Sequence, residues 1–264
     1  MISVIIPTFN RGYILKKSLP TYFSELVSEI IIVDDGSTDN TNDIVKELSK
    51  DFIIKYVKHD KRLGLPQARN TGIKFVSEKS KYVFFGEDDV VLAKNCYQIA
   101  IEVLEKNFLD LVAINVKYLS NNEDFTKYLS DDIKVLYPKS FEDILRFKSI
   151  HLAKKYVYNS FNFDEKYIYS AYREETDFYL RASKKYKIAL IENYFAFNLP
   201  RDICNTGGEW SFNPVVYEFS AIYNNLRFLF KNRKIIGINY FDLFKKQLSF
   251  TIERLRALKA KLLK

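Results

Sequence analysis

Residues 29–41 read Glu29-Ile30-Ile31-Ile32-Val33-Asp34-Asp35-Gly36-Ser37-Thr38-Asp39-Asn40-Thr41. A near-continuous β-branched run of this length predicts a strand buried on both faces. Its abrupt stop at two Asp residues, followed by Gly36 and a run of capping residues, predicts a tight turn into a helix whose body includes Asp43 to Leu48. The same unit recurs on either side. Ile2 to Pro7 reads as a strand followed by helical spacing from Tyr13 to Phe23. Ile53 to Val57 reads as a third strand, Pro66 to Val76 as a third helix, and Tyr82 to Phe85 as a fourth strand ending at Gly86-Glu87-Asp88-Asp89. Strands alternating with helices are the mark of a parallel sheet wrapped in helices. Ligands of such sheets bind beyond the carboxyl ends of the strands, where these polar clusters stand.

Beyond Val90 the pattern is less regular. Leu109 to Tyr118 predicts another strand, Ser120 to Asp132 a polar connection, and Lys139 to Arg146 and the centre of Ala171 to Tyr186 predict helices. From Pro214 onward the chain is helical in pattern, Tyr217 to Phe230 forming one segment and Tyr240 to Lys264 another. The last is amphipathic and basic, with Phe241, Phe244, Leu248, Ile252, Leu255, Leu258 and Leu262 at three- and four-residue steps among seven Lys and Arg. The domain reading is a body over 1–213 and a helical extension over 214–264. For the extension, Phe241 to Ile252 are expected to pack and the last turns to contact a surface, including peripherally a membrane.

The chain has 264 residues, 47% of them hydrophobic, and a net charge of +8. That excludes a disordered or fibrous chain and favours anionic partners. Cys96 and Cys204 are too few for a disulfide framework, and with only His59 and His151 they form no zinc pattern. A reducing, cytoplasmic setting is the expectation. The opening MISVIIPTFNR has no basic region ahead of its short apolar run and reads as a strand, not a signal peptide. No stretch of about 18 uncharged apolar residues, the length of a membrane span, occurs.

Four clusters carry chemistry. An Asp at the end of the second strand suits a nucleobase or ribose, with helix capping as the bland alternative. Three adjacent carboxylates at 87–89 repel one another and are most economically explained by a divalent cation, since Mg²⁺ or Mn²⁺ is often held by one or two carboxylates plus phosphates. The alternative is a solvated acidic turn. Arg173-Glu174-Glu175-Thr176-Asp177, with Arg181 at helical spacing, reads alone as a solvated helix start. In Gly64-Leu65-Pro66-Gln67-Ala68-Arg69-Asn70, Arg69 would meet a pyrophosphate or an acidic neighbour.

Taken together and in order, SVIIPTFNR, VDDGSTDNT, LGLPQARNTGI, FFGEDDV and REETDFYLR resemble the successive motifs of a family 2 glycosyltransferase over roughly residues 1 to 210. The resemblance implies an α/β fold of the GT-A type: a Rossmann-like α/β/α sandwich with a mostly parallel central sheet, here with a C-terminal helical extension. It implies an inverting, hexosyltransferase-type enzyme of glycan biosynthesis that transfers sugar from a UDP-, GDP- or dTDP-linked donor to a glycan or lipid-linked hydroxyl acceptor, assisted by Mn²⁺ or Mg²⁺. Pro7, Thr8 and Asn10 match the loop that frames the base, Asp34 or Asp35 the Asp that binds it, and Arg69 the position beside the nucleotide.

Glu87 and Asp88 fall on the last two positions of the Asp-x-Asp motif, Asp88 being the expected metal ligand. Gly86 stands at the first, which leaves the number of protein ligands open. Glu175 falls on the catalytic base, preceded by Glu174. Asn198 stands near where relatives often place a His, close to Gly207 and Gly208, which are candidates for a lid. Trp210 would stack on an acceptor sugar or fill a core or lid.

Two rivals are a sugar-nucleotide nucleotidyltransferase and a nonenzymatic, degenerate nucleotide-sugar-binding protein. The first lacks its phosphate-cradling loop, since Pro7 to Gly12 reads PTFNRG. A nucleic-acid partner is not expected, because positive charge is concentrated only in the tail and no recognised binding motif appears.

Overall fold

The fold is described from a computed structural model covering residues 1–50, 52–121 and 123–263, with all side chains in these ranges except Glu209 and Trp210. Its strands are β1 (Ile2–Thr8), β2 (Val27–Asp34), β3 (Ile54–Lys58), β4 (Tyr82–Phe85), β5 (Val90–Leu92), β6 (Leu111–Tyr118), β7 (Val135–Leu136), β8 (His151–Lys154) and β9 (Ile188–Asn198). The helices are α1 (Gly12–Ser18), α2 (Thr41–Leu48), α3 (Leu65–Lys74), α4 (Cys96–Lys106), α5 (Phe141–Ile144), α6 (Glu174–Ala182), α7 (Pro214–Ile236) and α8 (Tyr240–Leu262).

Among the described residues, these nine strands join one sheet in the order β3-β2-β1-β4-β8-β6-β9-β5, with β7 added on β9. The side chains of β1, β2 and β4 alternate between two apolar layers. Val4, Ile6, Ile30, Ile32 and Phe84 enter one with residues of α1, α2 and α4, while Ile5, Ile31, Val33, Val83 and Phe85 enter the other with residues of α3, α5, α6 and α7. Burial on both faces is why these strands read as unbroken apolar runs. The architecture is the α/β/α sandwich expected.

The sheet is parallel only in part. The pairs β1–β2, β1–β4, β2–β3 and β6–β9 are parallel, whereas β8 pairs antiparallel with β4 and β6, and β9 with β5 and β7. The strand β8 had no sequence signal of its own, since His-Leu-Ala-Lys is neither an unbroken apolar run nor an alternation. The tail also corrects an expectation. Phe241, Phe244, Leu248 and Ile252 are exposed, and α8 instead buries Leu243 and pairs through Gln247 and Arg254.

Candidate functional site

In the parallel half, β1 and β2 end in register, Thr8 beside Asp34, and β4 ends at Phe85 beside Ile5. The chain therefore delivers three loops to one rim, and a cleft of about 440 Å³ opens there. This lies within the range of small-molecule sites. Thr8, Asp35, Glu87, Asp88, Glu175 and Asn198 all line it, although they lie as far apart in sequence as 8 and 198.

The acidic rim is held by two arginines. Asp88 is buried, its Oδ1 taken by Arg11 Nη1 at 2.7 Å and its Oδ2 by the Thr8 hydroxyl at 2.8 Å. The same Arg11 nitrogen reaches Asp89 at 3.0 Å, and Asn198 Nδ2 donates to Asp89 at 3.3 Å. Burial works against the charge on Arg11, but Asp88 and Asp89 outweigh it and raise its pKa. The second cation, Arg69 on α3, is almost fully buried. It donates to Glu174, and its Nη2 lies 3.3 Å from Glu87 and 3.6 Å from Glu175. Burial, with repulsion from Asp89 and Glu175, pushes the Glu87 carboxyl up to about 8 despite Arg69.

The two glutamates of α6 are unlike. Glu174 is buried on Arg69, whereas Glu175 keeps a third of its side chain exposed, 33%. Both fall in the first turn of α6 and line the cleft, but a rotation of about 100° separates them, and Arg69 covers Glu174 far more than Glu175.

Gly86 has a steric reason. A Cβ there would lie 2.5 Å from Cε1 of Tyr22, whose hydroxyl donates to Glu87 O at 2.9 Å and accepts from Glu87 N at 3.1 Å. The ring fills the space an Asp would need, so the first carboxylate of the motif is excluded. Among the described residues no three His, Cys, Asp or Glu converge as a metal cage. The donor chemistry still suits a hard divalent cation. Asp88 lines the cleft and would hold it if the contact with Arg11 or Thr8 gave way, with phosphate and water as the remaining ligands.

Asp35, which also lines the cleft, accepts from Leu63 N and Gly64 N, each at 2.8 Å, and from His59 Nδ1 at 2.9 Å. Asp34 is turned away, accepting from Ser37 N at 2.6 Å and from the Tyr56 hydroxyl. Asn10 holds the 36–41 turn, its Oδ1 accepting from Thr38 N at 2.7 Å. Pro7 and Gly208 line the cleft. Gly207 adopts φ 67, and a Cβ there would lie 2.3 Å from Asn10 O. Trp210 lies outside the described side chains.

Sequence reading singled out neither Arg11 nor Arg62. Arg62 is sandwiched between Phe9, at 4.2 Å from its ring centroid, and Phe212, at 3.9 Å. It also donates to Gly208 O at 2.8 Å and to Ser211 Oγ at 2.6 Å. It thus fastens the 207–212 segment to the first-strand loop.

A doubly layered sheet with a polar cleft at the ends of β1, β2 and β4 defines a nucleotide-binding type of α/β fold. Solved structures share it. S. aureus TarS residues 1–349 in complex with UDP-GlcNAc superpose with a TM-score of 0.64 at 18% identity, covering 86% of this chain and 66% of that one. The complex of the same TarS piece with UDP gives 0.62 at 16%, covering 98% and 82%. The fold is thus GT-A.

The sequence model described as glycosyl transferase family 2 matches residues 3–168. The chain belongs to that family. Among curated relatives, the Escherichia coli UDP-Glc:alpha-D-GlcNAc-diphosphoundecaprenol beta-1,3-glucosyltransferase WfgD is 27% identical over 141 residues, 53% of this chain and 54% of WfgD. Glycosyltransferase GlyG of Streptococcus pneumoniae serotype 4 is 25% identical over 202 residues, 70% of this chain and 66% of GlyG. The chain spans about half the length of WfgD.

Proposed function

We propose that the chain transfers a sugar from a nucleoside diphosphate donor to a hydroxyl acceptor, with inversion at the anomeric carbon. One observation carries the reading: Asp88 and Glu175, 87 positions apart in sequence, line a single cleft that Asp35 also lines. The base and ribose lie along Pro7, Thr8, Asn10 and Asp35, with Asp34 bracing the turn beneath them. The diphosphate faces Asp88. A Mn²⁺ or Mg²⁺ ion held there would neutralise charge developing on the leaving diphosphate. Arg11, in contact with Asp88 and Asp89, adds a fixed positive charge at the same rim.

On the facing wall, Glu175 accepts the proton of the incoming hydroxyl as its oxygen bonds to the anomeric carbon and the bond to the diphosphate breaks. Attack opposite the leaving group inverts the centre without a covalent intermediate. Glu174 keeps Arg69 in place behind Glu175, and Asn198 steadies Asp89. Gly207 and Gly208 give the covering segment its close approach to the first-strand loop.

The donor class is supported by the family and by the UDP ligands named for TarS. The name of WfgD specifies UDP-Glc and a diphosphoundecaprenol-linked sugar, which favours a UDP-linked hexose and a lipid-linked saccharide acceptor here. The test is incubation with UDP-, GDP- and dTDP-linked sugars and Mn²⁺. Slow, Asp88-dependent hydrolysis of one donor is expected. No turnover on any donor, unchanged by Asp88→Ala, would favour a binding protein instead.

A further inference from the structure

Residues 214–264 hold 11 Lys and Arg against 3 Asp and Glu, a surplus equal to the whole chain's net charge of +8. The sequence over 1–213 is therefore electrically balanced, and the entire excess falls within residues 214–264, all but Lys264 of it on the α7–α8 hairpin.

The two helices run antiparallel through the short turn at 237–239. Asn225 Nδ2 donates to Gln247 at 2.9 Å and Arg254 Nε to Glu218 at 2.6 Å. On α7, Ala221, Asn224, Phe228 and Asn232 are buried against the body. Phe219, Tyr223 and Phe230 are 55%, 47% and 55% exposed, and their helical angles place them on the opposite side. On α8, Phe244, Leu248 and Ile252 form a second exposed stripe. Each stripe lies about 100° of helical rotation from the contact between the helices. Because the helices are antiparallel, the two rotations run in opposite senses in space. The stripes therefore open on one side, facing away from the sheet, and make an apolar surface two helices wide. Lys245, Arg256 and Lys259 border it on α8, and Lys234 on α7. Exposed apolar area of this kind marks an interaction site.

We infer that this face lies on an anionic lipid bilayer. No described helix is long and apolar enough to cross a membrane. An aromatic-rich apolar face with a basic border matches what an interfacial helix presents to the headgroup boundary. A second copy would bring the same unbalanced positive charge to the contact, whereas an anionic leaflet neutralises it. Tyr217, at the start of the hairpin, lines the cleft from the opposite side of α7, so the hairpin begins at the site. The surface does not depend on the transfer reading.

The test is sedimentation of the full chain with vesicles of phosphatidylcholine alone or mixed with phosphatidylglycerol. Binding to the mixed vesicles, at least tenfold weaker on the neutral ones and released by salt, is expected. The variant F244S/L248S, altered only at exposed side chains, should lose at least tenfold in binding with an unchanged circular dichroism spectrum. In K245Q/R256Q/K259Q each lost charge should weaken binding by about fivefold. Absent or charge-independent vesicle binding would overturn the inference, as would a wild-type dimer that L248D splits into monomers in the ultracentrifuge. A chain that binds vesicles but hydrolyses no nucleotide sugar would refute the transfer reading and leave this one standing.

Discussion

Arg11 Nη1 and Asp88 Oδ1 meet at 2.7 Å, with both side chains under a tenth exposed, across 77 positions of sequence. The pair ties the loop after β1 to the loop after β4, and Arg11 Nε also reaches Thr206 O at 3.2 Å. Removing one partner of a buried pair leaves the other uncompensated. Arg11→Ala is therefore expected to lower unfolding free energy by about 3 kcal/mol. Urea denaturation followed by fluorescence would measure it, and an unchanged midpoint would show that water replaces the guanidinium.

Asp88→Asn keeps the hydrogen bond from Thr8 geometrically possible but removes the charge a cation needs. The Mn²⁺-dependent rise in melting temperature with UDP should vanish in this variant and persist in Asp34→Asn, whose carboxylate faces Tyr56 and Ser37. Treating the wild-type chain with EDTA should lower turnover, and added Mn²⁺ should restore it. Full activity in chelator would assign charge neutralisation to Arg11 alone.

The adjacent glutamates of α6 should separate in kinetics. Glu175→Gln is expected to reduce kcat by about 10²–10⁴-fold with donor affinity retained, because only proton acceptance is lost. Glu174→Gln should instead cost stability, since it weakens the buried contact with Arg69. Similar kcat values for Glu175→Gln and wild type would dismiss Glu175 as the base.

Gly86→Asp would restore the first position of the Asp-x-Asp motif, yet it should impair the protein. The new Cβ meets the Tyr22 ring, and overpacking of this sort costs about 1–3 kcal/mol. Scanning calorimetry would record a lower melting temperature. A stable variant with stronger Mn²⁺ binding would mean that Tyr22 yields.

Acid should loosen α7. Burial alone would raise the pKa of Asp164, but hydrogen bonds from Lys231 and Arg227 outweigh it and hold the carboxyl below the usual range. A depressed folded-state pKa stabilises the fold fully above the unfolded value of about 3.9 and progressively less as pH falls toward the folded value. Unfolding free energy should therefore fall below about pH 4, with a shallower slope in Asp164→Asn. That variant should also lose about 2 kcal/mol at neutral pH. Equal slopes for the two proteins would remove Asp164 from the acid response.

The ends of the first strands were legible because buried parallel strands write themselves as unbroken apolar runs, and their polar stops mark the rim. Val33-Asp34 and Phe85-Gly86 stand where that pattern puts them. The placement of β8 was not legible, because His-Leu-Ala-Lys shows neither the unbroken apolar run of β4 nor an alternation. Arg62, within His-Asp-Lys-Arg-Leu, looks like any surface charge. Only the fold brings Phe212, far along the chain, onto its guanidinium. The stripe on α8 was visible as a period but not in its direction. Amphipathicity identifies an apolar side without saying what covers it, and the polar pairs Asn225–Gln247 and Glu218–Arg254 decide the rotation.

The junction between β4 and β8 divides the sheet into halves of different tolerance. On one side, β3, β2, β1 and β4 are mutually parallel, with an irregular register only at the end away from the rim, between Ile2 and Ser3, so shifting one strand would displace every loop at the rim. On the other, β9 already absorbs irregular register against β6 between Ile114 and Val116. Descendants of such a scaffold can lengthen or shorten the second half without retuning the first, which makes the wall bearing Asn198 the economical place for divergence and the Thr8–Asp34 register the part to inherit unchanged.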